Sequence, residues 1–199
     1  MVLREFFRTF EAQLSNKTPV IESEAQQSPD NECFHSGFMM VTHTATDLTD
    51  EKTQDPEEGF DLDGMLGNLA KWLRILGFDA KFPCKKVAQD RYFVTTNRKL
   101  KNPQALKIQY ASPIDQIKQL FDLTGIVPNP NLFLSRCLSC NVPVRETAKH
   151  KVKGRVPDSV FSRVSIFHEC PLCGKLYWEG THASRIRRRL EESGVLAKT

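Results

Sequence analysis

Residues 60–82 read FDLDGMLGNLAKWLRILGFDAKF, and the reading of this stretch decides the fold. Phe60-Asp61-Leu62-Asp63 predicts a short strand that ends in carboxylates. After it, Leu66, Leu69, Leu73 and Leu76 recur at i, i+3, i+7 and i+10, the apolar face of a helix. Trp72 joins these leucines as core. Gly77 suits the position just past a helix end, and Phe78 to Phe82 predicts a second strand. A strand, a helix and a strand in immediate succession form the unit from which parallel sheets are built.

The pattern continues toward the C-terminus. Tyr92-Phe93-Val94-Thr95 predicts a third strand and Lys107 to Ala111 a fourth. Ser112-Pro113-Ile114-Asp115 predicts a helix start, with Ser112 as cap, Pro113 at the first helical position and Asp115 completing an S-x-x-D box. That helix runs through Ile117, Leu120 and Phe121 to Gly125. Strands alternating with helices predict a small α/β layer with a mostly parallel sheet.

Beyond it stand two identical cysteine pairs. Cys137-Leu138-Ser139-Cys140 and Cys170-Pro171-Leu172-Cys173 are both C-x-x-C, with 29 residues between them. A tetrahedral Zn²⁺ takes four thiolates at about 2.3 Å, and two such turns supply two sulfurs each. The spacing exceeds the common ribbon interval of about 15–20 residues, an insertion a ribbon tolerates. Four thiolates close the coordination shell, so the expected zinc is structural and leaves no place for a catalytic water. Two disulfides or a redox pair are the competing readings. His168 and His182 flank the pairs and read as neighbours of the metal or as surface residues. Phe167-His168-Glu169 and Lys175-Leu176-Tyr177-Trp178 predict hairpin strands, and Thr181 caps a final helix carrying Arg185, Arg187, Arg188 and Arg189. Tyr177 and Trp178 read as core or as stacking surfaces for bases.

The charge is uneven. Residues 1–59 hold 4 Lys/Arg against 12 Asp/Glu, and residues 60–199 hold 24 against 12. An acidic head precedes a basic body suited to a polyanion, nucleic acid above all. Leu3, Phe6, Phe7, Phe10 and Leu14 predict a short amphipathic helix near the N-terminus. Ser15 to Gly59 reads as a weakly patterned linker, apart from Phe34 to Thr42. No secretory signal or membrane-length apolar run is present. Six cysteines in such a chain fit an intracellular protein, cytoplasmic or nuclear, with Cys33 and Cys84 free. Three regions are expected: an acidic, mostly disordered region 1–59, an α/β domain 60–130, and a zinc ribbon with a basic helix, 131–199.

The segments DGMLGNLAKWLRILGFDA (63–80), FVTTNRKL (93–100), LFLSRCLSCNVPV (132–144), KGRVP (153–157) and FHECPLCGKLYWEGTH (167–182) carry a resemblance. Residues 60–199 resemble the C-terminal RNase domain of the mutator-seven exonuclease family, a PIN-like fold followed by a zinc ribbon. Longer members of that family carry a DEDD-type 3′–5′ exonuclease domain upstream, so the chain resembles a short form or a C-terminal fragment. The resemblance implies metal-dependent RNA cleavage, in which carboxylates at strand ends hold Mg²⁺ or Mn²⁺.

Two departures weaken that implication. Asp63 matches the first carboxylate, or serves as a helix cap. Asn97 stands in FVTTNRKL where the family pattern has an acid, and brings no charge. Phe82 and Tyr92 are separated by PCKKVAQDR, nine residues, where the family has an acid-bearing helix. A parallel crossover takes about a dozen or more, so either the third strand shifts or the sheet is truncated. Asp61 reads as solvated. Lys149, Lys151, Lys153 and Arg155 lie between the cysteine pairs, as a phosphate-contacting loop or a solvated one. The expected function is binding of RNA or single-stranded nucleic acid, through Lys151, Lys153, Arg155, Arg185, Arg187, Arg188 and Arg189, with weak or lost nuclease activity. An active metal-dependent ribonuclease is the alternative. Neither a membrane nor a small organic cofactor is expected.

Overall fold

The structure, a computed structural model, describes residues 52–53, 59–85, 88 and 90–198. The expected N-terminal helix, the acidic linker, the Phe34–Thr42 segment and Cys33 lie outside the described residues. A parallel sheet contains β2 (Gly59–Leu62), β3 (Asp79–Lys81), β4 (Tyr92–Thr95) and β5 (Ala105–Lys107), in the order β3-β2-β4-β5. β2 is central and all four of its residues are buried. A second, two-stranded pairing joins β1 (Lys52–Thr53) in parallel to β6 (Ile126–Val127).

α1 (Gly67–Ile75) follows β2, and α2 (Pro113–Thr124) follows β5. The leucine face of α1 packs on β3 and α2, with Trp72 fully buried. Burial continues around the helix, because its other side meets the segment entering the first cysteine pair. There the Leu134 amide donates to the Ile75 carbonyl at 2.8 Å and Arg136 Nε to the Gly77 carbonyl at 3.2 Å. Gly77 has φ 92°, and a Cβ on it would lie 2.5 Å from the Leu132 carbonyl oxygen. Both the left-handed backbone and the close approach exclude a side chain.

The fourth strand is shorter and earlier than Lys107–Ala111. After Ile108, side chains of α2 take over the backbone partners: Gln119 Oε1 accepts the Gln109 amide and Gln116 Nε2 donates to the Tyr110 carbonyl. Those bonds turn the chain away from the ladder. The short Phe82–Tyr92 link keeps β4 in place. At the start of the link the Cys84 amide donates to the Leu62 carbonyl at 2.8 Å, at the carboxyl end of β2.

The last third forms an antiparallel sheet in the order β7-β8-β9, from β7 (Arg145–Thr147), β8 (Phe167–Glu169) and β9 (Leu176–Tyr177). Two short helices, α3 (Lys149–Val152) and α4 (Asp158–Arg163), occupy the long interval between the cysteine pairs. Val152 and Val156 pack with Phe167 and Leu176 into a second small core, flanked by Phe161 and Trp178. This interval is therefore folded, not a solvated loop. α5 (Thr181–Glu192) closes the chain with Ala183, Ile186 and Leu190 inward; Gly180 is its cap, so Thr181 is the first helical residue.

Candidate functional site: a strand-end cleft and a cysteine cluster

β2 and β4 are neighbours, yet the chain leaves them in opposite directions: from β2 toward β3, and from β4 toward β5. In open parallel sheets, ligands bind outside the carboxyl ends of the strands at this kind of switch point. A cleft of about 310 Å³ opens there, lined by residues that include Asp63, Cys84, Lys85, Thr95, Asn97 and Leu100. Asp63 and Asn97, far apart in sequence, meet in this cleft.

Asp63 is heavily engaged. Its Oδ2 accepts from the Thr95 hydroxyl and from the Thr96 amide at 3.1 Å, and its Oδ1 accepts from the Met65 amide at 2.9 Å. It does not cap α1: Leu66 is the cap residue and no side chain bonds there. A carboxylate offers about four acceptor sites, and three are taken. Asn97 is likewise committed, since its Oδ1 accepts the Lys99 amide at 3.0 Å and closes a local turn. Among the described residues, Asp63 is the one carboxylate in the cleft lining, which Lys85 shares. This donor set does not fit a pair of hard divalent cations, which require several anionic oxygens.

Asp61 is not solvated. It is 3% exposed and pairs with Arg91 Nε at 2.6 Å. Arg91 also bridges to Asp79 at 3.1 Å and to the Phe60 and Asp79 carbonyls. Burial lowers the affinity of Arg91 for its proton, but the two carboxylates more than restore it. Burial raises the Asp79 carboxyl, yet Arg91, helped by Asn141 and Arg136, brings it below the ordinary range. Arg91 belongs to no motif, and no spacing in the sequence marks this clamp.

The four cysteines converge. Their sulfurs lie within 4.8 Å of one another, and Cys137 and Cys173 are 3.7 Å apart. A tetrahedral ion with bonds of about 2.3 Å sets its sulfurs about 3.8 Å apart. Both knuckles close the same turn: the Asn141 amide donates to the Cys137 carbonyl and the Gly174 amide to the Cys170 carbonyl, with φ of 62° and 66°. Burial raises the Cys137 thiol, but hydrogen bonds from the Tyr177 hydroxyl and the Cys140 and Ser139 amides bring it down to about 6. Burial and the neighbouring sulfurs push Cys140 up to about 12. Four such thiols cannot all ionise without a cation among them, so the donor set fits a divalent metal. Among the described residues, His168 and His182 are not part of the group that can hold it.

The cluster is bolted to the α/β layer. Arg74, 7% exposed on α1, donates to the Leu138 carbonyl at 2.8 Å, the Ser139 carbonyl at 3.2 Å and the Ala80 carbonyl at 2.7 Å. Asn141 accepts the Ala80 amide at 3.0 Å and donates to Asp79 at 2.6 Å. Tyr177 is buried and serves the Cys137 sulfur, so it presents no stacking face.

Of the basic residues, Lys151, Lys153, Arg155, Arg185, Arg188 and Arg189 are exposed. Arg155 is held by Glu169 at 2.7 Å and by the Gly174 carbonyl. Arg187 lies 4.4 Å over the Phe133 ring and 3.3 Å from Glu179, in a packing position. No helix among the described residues is long and apolar enough to cross a membrane.

A parallel sheet with a strand-end cleft carries an attached four-cysteine cluster. The family model of the Mut7-C RNAse domain matches residues 58–190, two-thirds of the chain. The chain belongs to that family. No curated protein and no solved structure matches it.

Proposed function

We propose that this chain binds RNA or single-stranded nucleic acid through its Mut7-C domain and has weak or no hydrolytic activity. The observation that carries this reading is the composition of the cleft. Among the described residues one carboxylate, Asp63, lines it, with three of its acceptor sites used by Met65, Thr95 and Thr96. Mg²⁺ gives up its water reluctantly, and a nearly saturated carboxylate beside a committed amide offers too little in exchange. Binding requires less, and the balance of 24 Lys/Arg against 12 Asp/Glu after residue 59 favours a polyanion. Exposed Lys151, Lys153, Arg155, Arg185, Arg188 and Arg189 extend the basic surface, Arg155 with one surface pair to Glu169, while Arg187 packs over Phe133.

The cysteine cluster is read as one structural Zn²⁺ on Cys137, Cys140, Cys170 and Cys173. Zinc bound there supplies cross-linking, with all four positions filled by sulfur. Metal-held thiolates suit a reducing compartment, the cytoplasm or nucleus.

The test incubates labelled RNA with the protein and Mn²⁺ beside Asp63→Ala and Asn97→Asp. The unmodified chain should cleave little. Asn97→Asp should raise cleavage, because one oxygen keeps the turn bond to Lys99 while the other is free and charged. Robust Mn²⁺-dependent cleavage by the unmodified chain, lost in Asp63→Ala, would overturn the reading in favour of an active ribonuclease. Metal analysis of the folded protein should give one zinc per chain.

A further inference from the structure

We infer that the carboxyl edge of the parallel sheet is a stacking track for a single strand of RNA, with Tyr110 and Phe82 as the surfaces on which bases rest. This inference rests on the nucleic-acid-binding reading above and adds which face and which side chains carry the bases. Aromatic side chains in a soluble fold are normally buried, as Phe60, Phe78 and Phe93 are here. Tyr110 is 56% exposed and Phe82 38% exposed.

Both lie at the same edge. Phe82 directly follows β3, and its ring covers Gly67 at the start of α1, where an added Cβ would be 3.0 Å away. Tyr110 stands two residues beyond Ile108, whose amide donates to the Thr95 carbonyl at the end of β4. The edge therefore runs from Phe82 at β3, past Asp63 at β2 and Thr96-Asn97 at β4, to the segment after β5 that turns toward α2 and carries Tyr110. Three strand spacings of about 4.8 Å make this about 14 Å.

Cations accompany the aromatics. Lys85 lines the cleft, Arg98 and Lys99 are exposed on the turn after β4, and the Lys107 ammonium group reaches the Arg98 carbonyl at 3.4 Å. Against these four stand Asp63 and, in the first turn of α2, Asp115. Exposed rings interleaved with cations form the combination that holds single strands: phosphates meet the charges while bases, unpaired and free to turn, stack. A duplex keeps its bases inside and cannot use the rings.

The experiment measures fluorescence anisotropy of a short labelled oligouridine with the full chain, with duplex RNA and oligothymidine as comparison arms. Stacking of one base is worth about tenfold or more in affinity. Tyr110→Ala should weaken oligouridine binding by about that factor, Tyr110→Phe should preserve it, and the dependence on salt should stay the same in both. Lys85→Ala should instead reduce the salt dependence, by about one unit of slope. Thiouridine photo-crosslinking of the unmodified chain should map to the loops holding Phe82 and Tyr110, a readout independent of any variant's folding. If oligouridine binds but Tyr110→Ala is unchanged and crosslinks fall elsewhere, the track is refuted and the binding reading stands. If duplex binds as tightly as the single strand, stacking is refuted. If no nucleic acid binds, the binding reading falls as well.

Discussion

Arg91 organises the amino end of the sheet although nothing in its sequence neighbourhood announces it. It neutralises buried Asp61, reaches Asp79, and needs the space beside Gly59, where a Cβ would sit 1.8 Å from its Nη1. Gly59→Ala should therefore push the guanidinium aside and strand a buried carboxylate. Uncompensated buried charge costs up to about 3–5 kcal/mol, and denaturant unfolding should show a loss of that order. A change within about 0.5 kcal/mol would mean that Arg91 relocates without cost. Asp79 gives the clamp a pH signature. Its folded value is depressed, so its contribution is complete above the ordinary carboxylate range near pH 4 and is lost as pH falls toward the depressed value. Asp79→Asn should thus lose stability at neutral pH and show a smaller further loss on acidification than the unmodified chain. Equal acid slopes in the two proteins would contradict this account. The residues legible in the sequence were those with a period or a spacing, such as Leu66 to Leu76 and the four cysteines. Arg91, Asn141 and Arg74 act across 30 to 65 positions, a distance at which a linear pattern leaves no trace.

Among the elements, the first knuckle and α1 depend on each other. Asn141, at the end of that knuckle, accepts the Ala80 amide on β3, and the Leu134 amide binds the end of α1. Stripping the metal should loosen the knuckle and expose both amides. Hydrogen exchange at Ala80 should then accelerate on chelation, as should exchange at Leu134, while amides in the centre of α2 change less. Unaltered exchange at Ala80 would show that the turn keeps its shape without metal. The same elements show what the sequence made readable. Strand, helix and strand over residues 60–82 followed from hydrophobic period, and the knuckles from cysteine spacing. The start of the short link after β3 did not, because a residue count says nothing of the bond from Cys84 to Leu62 at the strand end. α3 and α4 are marked in the sequence only by Val152, Val156 and Val160, which recur at four-residue intervals and pack near the ribbon. Lysines and arginines crowd that interval and mask its apolar face.

Across the whole molecule, a division at residue 130 follows composition, but the contacts cross it. Arg74 donates to Leu138 and Ser139, Arg136 to Gly77, and Asn141 to Asp79. Thermal unfolding of the two parts should therefore be a single transition, with a midpoint that drops when the metal is chelated, since a ligand of the folded state adds its binding energy to stability. Two resolved transitions, one of them blind to chelation, would show independent parts. Arg74 has a further consequence. Its charge is tolerable in the interior because the backbone of the first knuckle turns carbonyls toward it, and that backbone is shaped by the cysteines. A lineage that discarded the cysteines would lose those acceptors, and a cation at this place would become a liability. Natural variation should therefore couple the two: relatives lacking the four cysteines should carry an uncharged side chain where this chain has Arg74, and relatives keeping them should keep a hydrogen-bonding cation.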